Sequence, residues 1–367
     1  MNVRARSSEP AKESKVISGI EEGRVQCARL VGPGEFTLTD EAMPEPTSER
    51  PLLKVRAVGL CGSDAHWYED GSIGDAVIER PLILGHEFSG EVLTGPWAGR
   101  RVAVDPAVAC LACEACRSDQ AHLCRRMEFA GHGRTDGALR THLTWPQRCL
   151  VPLPDEMTDA AGAMLEPLGV ALHAIDLATD WAHGPAQSWS SVGVFGSGPI
   201  GLLLMAALKS TGVANIIATD RLPHRLSAAL AMGANSTAIA TTERDEMEEV
   251  LEATNGRGVD VAFDASGDPS ATESAVAGTR IGGLVVLVGI PSNDRTTFTA
   301  STARRRETSM VICRRMRAGD LERAAQLAAT GAIPLDRMIS ETFSLESVSL
   351  AFEALTARQG LKLIVEP

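Results

Sequence analysis

The chain changes texture twice along its length. From about Arg24 to Pro152 the apolar runs are short and broken by Gly and Pro (Leu52–Val58, Val92–Leu93, Arg101–Val104, Thr141–Leu143), which predicts strands and turns rather than helices. From about Leu165 to Pro291, strand-like runs alternate with helical ones. The strands are expected at Ser191–Phe195, Asn215–Asp220, Val259–Asp264 and Leu284–Ile290, the helices at Pro199–Ser210, Leu222–Met232 and Pro269–Thr279. Alternation of this kind predicts an α/β region built on a parallel, doubly wound sheet. The last stretch holds two amphipathic segments, Asp320–Thr330 and Leu345–Thr356, and a strand-like Lys362–Val365. No internal repeat or low-complexity tract interrupts the pattern.

Composition narrows the class. At 367 residues, 44% hydrophobic and 22% charged, the chain suits about two globular domains and is not a wholly disordered one. The longest apolar runs, Pro199–Leu208 and Leu284–Ile290, fall short of the roughly 20 residues of a membrane-spanning helix, so no membrane insertion is expected. A net charge of −12, from 35 basic and 47 acidic residues, would repel nucleic-acid and lipid phosphates. That leaves a small molecule as the expected partner. Met1–Ser18 mixes charged and small polar residues without the apolar stretch of a secretory signal, and reads as a frayed extension of a cytoplasmic protein. In a reducing compartment the eight cysteines point to metal rather than disulfides.

Three motifs carry chemistry. Gly196-Ser197-Gly198-Pro199-Ile200-Gly201 follows a strand and opens an apolar helix, the setting in which Gly-x-Gly-x-x-Gly binds a dinucleotide. The glycines allow a tight turn, close approach to a pyrophosphate, and helix–strand packing; the helix N-terminus offers N–H groups to the phosphates. Asp220 closes the next strand and suits both ribose hydroxyls, favouring NAD over NADP, although Arg221 and Arg225 stand near enough to serve a phosphate. Cys110-x2-Cys113-x2-Cys116-x7-Cys124 predicts a closed four-thiolate zinc site that orders a loop. A looser set, Cys61, His86, Glu87 and Glu166, is zinc-competent, and three protein ligands would leave one position open. Spacing alone leaves Cys61 equally readable as a core residue and His86 as an ordinary polar one.

Gly59–His66, Glu69–Gly74, Leu84-Gly85-His86-Glu87, Glu166-Pro167-Leu168 with His173, Gly193–Gly201, and Val259–Gly267 followed by Gly282–Gly289 together resemble the zinc-containing medium-chain dehydrogenases, most of all their polyol (sorbitol and xylitol) branch. The resemblance runs from about Arg24 to the C-terminus. It implies Cys61, His86 and Glu87 as ligands of a catalytic zinc. Glu166 stands where the alcohol dehydrogenases have a second cysteine ligand, and both carboxylates remain candidates. Asp64 would fix the tautomer of His86, while Ser63 and His66 would pass the hydroxyl proton to solvent. Trp67, Arg314 and Arg315 would face the substrate.

Two departures put the substrate in question. The aromatics of His66-Trp67-Tyr68 are exchanged relative to the branch, and Arg315 replaces an aromatic next to Arg314. Arg315 could hold a sugar-acid carboxylate, but the reading preferred here points it to solvent or an oligomer interface. The remaining cysteines (Cys27, Cys149, Cys313) and Met157, Met164 and Met205 are read as packing, and His122, His132, His142, His183 and His224 receive no role.

The implied protein is a cytoplasmic dehydrogenase with NAD and two zinc ions per chain, one catalytic and one structural, interconverting a polyol and a ketose. Its fold would be a GroES-like strand-rich catalytic domain (1–168 and 312–367) around an inserted Rossmann domain (169–311). Association into a dimer or tetramer is expected through Leu284–Ile290. A sugar-acid dehydrogenase, a threonine-type dehydrogenase and a non-catalytic nucleotide-binding protein are the rival readings.

Overall fold

The computed structural model describes residues 23–241, 246–292 and 294–367; the expectation for Met1–Ser18 lies outside them. The broken apolar runs near the N-terminus form short strands. Their main sheet runs in the order Leu150–Pro152, Arg101–Val104, Glu87–Val92, Leu52–Gly59, Lys362–Glu366 and Ile339–Ser344, with His142–Thr144 also on Leu52–Gly59. The late strand Lys362–Glu366 thus returns to the early part of the chain: Ile364 lies opposite Gly59 and Val365 opposite Val58. A smaller sheet of Glu35–Ala42, Arg24–Gly32 and Leu82–Ile83 packs around the same core, which contains Leu30, Val58, Phe88, Trp145 and Phe352.

The alternating region forms a six-stranded, wholly parallel sheet. Its order is Ser236–Ile239, Ile216–Asp220, Val192–Phe195, Val259–Asp264, Thr279–Leu287 and Ser309–Ile312. The strand order reverses direction between Val192–Phe195 and Val259–Asp264, the switch point at which such sheets open a ligand crevice. The run read from sequence as an outer edge, Leu284–Ile290, belongs to an interior strand paired on both sides. An unbroken apolar run marks burial on both faces. The sheet's edges are Ser236–Ile239 and, on this side, Ser309–Ile312, where Ile312 is 76% exposed.

A helix that the sequence reading missed, Leu165–Ala182, joins the two regions. Its apolar side packs on Pro199–Ser210 and Asp320–Ala329, and Pro167 falls in its first turn, where no intrahelical N–H is needed. Residues 168 and 169, taken as a boundary, lie inside this one helix. The segment Asp159–Ala182 is also the one stretch among the described residues long and apolar enough to cross a membrane, and 78% of its most apolar 18-residue window is buried within the protein. Its mean hydropathy reaches that level although Glu166, His173 and Asp176 break the run.

Candidate active site and metal centres

The glycine turn leaves strand Val192–Phe195 with Gly196 at φ +97°, in the left-handed region. Gly198 caps helix Pro199–Ser210, with Pro199 at its first position. Gly201 has no room for a side chain, since a Cβ there would lie 1.9 Å from the Gly196 carbonyl oxygen. Ile200 packs against the core. Asp220 ends the neighbouring strand and accepts the N–H of Ser197 at 2.8 Å and of Leu222 at 2.9 Å. Arg225 brings a guanidinium nitrogen to 4.0 Å from Asp220, and its Nε is buried without a partner. Burial lowers the Arg225 pKa. All seven residues singled out for the nucleotide therefore meet at one end of the sheet.

Strand Leu52–Gly59 delivers Cys61 to the start of helix Gly62–Asp70, where Asp64 accepts the Cys61 N–H at 3.0 Å. A tight turn at Gly85 (φ +91°) presents His86 and Glu87. The ligand atoms of Cys61, His86 and Glu87 all lie within 4.8 Å of one another. Asp64 Oδ1 stands 3.4 Å from His86 Nδ1, buried and without a hydrogen-bond partner, while Ser63 Oγ lies 3.4 Å from His86 Nε2. Burial opposes a charge on His86, yet the Asp64 carboxylate and Cys61 hold its pKa well above the ordinary value. One sulfur, one imidazole and one carboxylate, converging within 4.8 Å of one another, fit zinc.

Glu166 is buried outside this trio but within its electrostatic reach. Burial, reinforced by Glu87 and Asp105, pushes its pKa up to about 7 against the pull of His86 and Lys362. Lys362 is a functional neighbour that sequence reasoning missed. Its ammonium is buried, hydrogen-bonds Glu87, and donates to the Leu60 carbonyl at 2.9 Å. The available signal was a lysine at an inward position of an otherwise apolar strand, Leu363-Ile364-Val365.

The four cysteines of the second motif also converge, their sulfurs within 4.8 Å of one another and Cys113 to Cys116 at 3.4 Å. Backbone N–H groups of Cys110 and Arg126 point at Cys124 Sγ from 3.3 and 3.4 Å. The Ala112 N–H leads the groups that draw the Cys110 thiol down to about 6. Such a donor set suits a four-thiolate zinc. His122, on the same lobe, meets His173 of helix Leu165–Ala182 edge-on, with ring centroids 5.0 Å apart.

Three substrate-facing expectations are corrected or sharpened. Trp67 is set in the core, 2% exposed, because its helix turns that face inward; only its edge contact with His132, at 5.3 Å, leads toward the site. Arg314 is exposed, whereas Arg315 is half-buried and lies 4.4 Å over the ring of Phe129. The preferred outward reading of Arg315 is thereby reversed. Phe129 in turn lies 5.5 Å from the His86 ring and 6.3 Å from His132. Neither Phe129 nor His132 was singled out, since nothing in their spacing ties them to His86. His66 is largely covered, with Nδ1 3.6 Å from Asp70 one helical turn on.

Comparison with known proteins is consistent along the chain. Residues 48–155 match the alcohol dehydrogenase GroES-like domain, and residues 199–330 match the zinc-binding dehydrogenase family. Sorbitol dehydrogenase of Bacillus subtilis is 36% identical over 91% of this chain and 94% of its own. D-xylulose reductase A of Aspergillus niger is 34% identical over 92% and 95%. Among solved structures, L-idonate 5-dehydrogenase of Escherichia coli superposes with a TM-score of 0.85 at 27% identity, covering 94% of this chain and 98% of that one.

Proposed function

This chain belongs to the zinc-containing medium-chain dehydrogenases, in their polyol branch, and from that premise we propose that it moves hydride between a secondary alcohol of a polyol and NAD, yielding the ketose. The observation that carries the reading is the convergence of Cys61, His86 and Glu87. Zinc bound there supplies a Lewis acid that lowers an alcohol's pKa from about 16 toward 7, and the nicotinamide supplies the hydride acceptor.

The chain's own groups do the rest. Asp64 holds the Nδ1 side of His86, leaving Nε2 for the metal. Lys362 lies against Glu87, whose carboxylate holds the buried ammonium's pKa above its ordinary value against the pull of burial. Ser63 takes the hydroxyl proton and His66 releases it to solvent. Glu166, with its pKa pushed up to about 7 by burial, can hold or release a proton near neutrality within electrostatic reach of His86 and Glu87. The glycine turn receives the pyrophosphate, and Asp220 accepts the adenosine ribose hydroxyls, which favours NAD over NADP. Arg225 backs Asp220 from 4.0 Å. Cys110, Cys113, Cys116 and Cys124 hold a second, structural zinc.

On this reading the catalytic domain takes residues 1–168 and 312–367 and the coenzyme domain 169–311, with helix Leu165–Ala182 running through the first junction. The enzyme is cytoplasmic and a homo-oligomer, joined along Ser309–Ile312, with no nucleic-acid or membrane partner. The test is NADH formation on a panel of polyols and threonine, with NAD and NADP compared, for the parent chain and Cys61→Ser. Turnover with NAD, abolished in Cys61→Ser while NADH still binds, is the expected result. Unchanged turnover in Cys61→Ser would refute the site, and NADH binding without turnover on any substrate would favour a nucleotide sensor.

A further inference from the structure

Arg315 is a cation placed where the proposed chemistry does not yet use one. Its backbone sits at φ +60°, in the left-handed region that non-glycine residues rarely occupy. That conformation falls between buried Cys313 and buried Met316, and it sends the guanidinium inward while Arg314 stays exposed. The guanidinium lies over Phe129, one ring away from the His86 imidazole, and donates to the Met127 thioether. Burial lowers its pKa only to about 10, so it is charged at neutral pH.

What it lacks is a counter-ion. Arg29 pairs with Glu41 and Asp136, Arg101 with Asp159, and Arg280 with Asp260, whereas the partly covered Arg140 and Arg306 share with Arg315 the lack of an ion pair among the described residues. Among the described residues no carboxylate comes within the 4.0 Å of an ion pair to Arg315. Glu166, Asp105 and Cys124 of the cysteine lobe feel its charge only at longer range. A guanidinium has five N–H donors in a planar fork matched to a carboxylate, and a neutral polyol leaves that fork poorly satisfied.

We propose that Arg315 recognises a carboxylate, so that the polyol oxidised here is a sugar acid whose acid group lies on the Phe129 side and whose reacting hydroxyl carbon lies several bonds away, at Cys61, His86 and Glu87. This inference rests on the reading of the site as a polyol dehydrogenase and names its substrate class. Hydride leaves the hydroxyl carbon for NAD and the hydroxyl proton leaves through Ser63; the carboxylate is held and takes no part in the redox step.

Gluconate and galactonate, paired with sorbitol and galactitol, test it in the zinc-loaded enzyme, for the parent chain and for Arg315→Gln and Arg315→Lys. Steady-state kinetics is accompanied by calorimetric binding of each sugar acid to the NADH complex. The expected result is a kcat/KM for the acids about 100-fold above that for the neutral polyols. Arg315→Gln should remove that advantage, mostly through KM, leave the neutral polyols within about threefold, and abolish acid binding, with Arg315→Lys restoring part of it. An unchanged melting temperature and NADH affinity would show that the variants fold.

Oxidation of neutral polyols with no preference for acids, or equal losses on both in Arg315→Gln, would overturn the proposal and leave the polyol reading standing. A variant that only displaced the pH–rate profile would assign Arg315 to Glu166 instead and would equally overturn it. Binding of a sugar acid that depends on Arg315, with no oxidation of any alcohol, would uphold the recognition and sink the polyol reading.

Discussion

Lys362 and Asp105 show how much single side chains owe to their surroundings. The Lys362–Glu87 pair is buried on both sides, so removing the cation strands an anion in a low-dielectric interior, at a cost of about 3–5 kcal/mol. Lys362→Met is therefore expected to destabilise the zinc-free protein by that amount in chemical denaturation, and by visibly less once zinc supplies a replacement cation. An equal loss with and without zinc would contradict the coupling. Asp105 is raised by burial from 3.8 to about 6, so the folded chain holds this proton more tightly than the unfolded chain. The stabilisation is complete below about pH 4 and is lost as pH rises through about 6. Asp105→Asn keeps an acceptor for the Ala107 N–H and should be more stable than the parent by up to roughly 3 kcal/mol at pH 8, converging with it toward pH 4. Thermal melts across pH check this, and a constant difference would refute it. At this scale the sequence exposed the ligand types and the phosphate turn, because those residues announce their chemistry. It hid Lys362, Phe129 and His132, whose meaning lies in what they touch.

Elements were legible where their periodicity was clean. Helix Pro199–Ser210 and strand Val259–Asp264 lie at the bounds that their apolar pattern implies. Helix Leu165–Ala182 was invisible because Pro167, Gly169 and the inward Glu166 and His173 break its pattern; it is stabilised by packing on two other helices. The glycine turn gives the sharpest element-level expectation. Gly201→Ala drives a methyl into the Gly196 carbonyl, backbone against backbone, and should cost about 1–3 kcal/mol or more and abolish NADH binding. A fluorescence titration with NADH and a melt measure both, and retained binding would refute the tight packing. For the cysteine lobe, Cys116→Ser should lower the zinc content by one ion per chain and admit proteolytic cleavage between Cys110 and Cys124. A zinc content unchanged from the parent's would show that Cys116 holds none of it.

At the scale of the molecule, the parallel sheet ends in an edge strand whose Ile312 is open to water, a surface that pairs readily with another copy. Ile312→Lys is expected to shift the protein toward monomers in light scattering coupled to size exclusion, and an unchanged mass would locate the interface elsewhere. The edge was misplaced in the sequence reading because a hydrophobic run reports burial, not position in the sheet. Reading residues alone determined the α/β alternation, the nucleotide turn, the four-thiolate cluster and the candidate zinc ligands, all of which depend on residue type and short-range spacing. Only the tertiary structure decided that strand Lys362–Glu366 returns beside Gly59 to bring a lysine to Glu87, that Arg315 turns inward onto Phe129, and that Trp67 belongs to the core. Each of those pairings joins segments brought together by strand pairing and core packing rather than by proximity along the chain, so no local pattern records them.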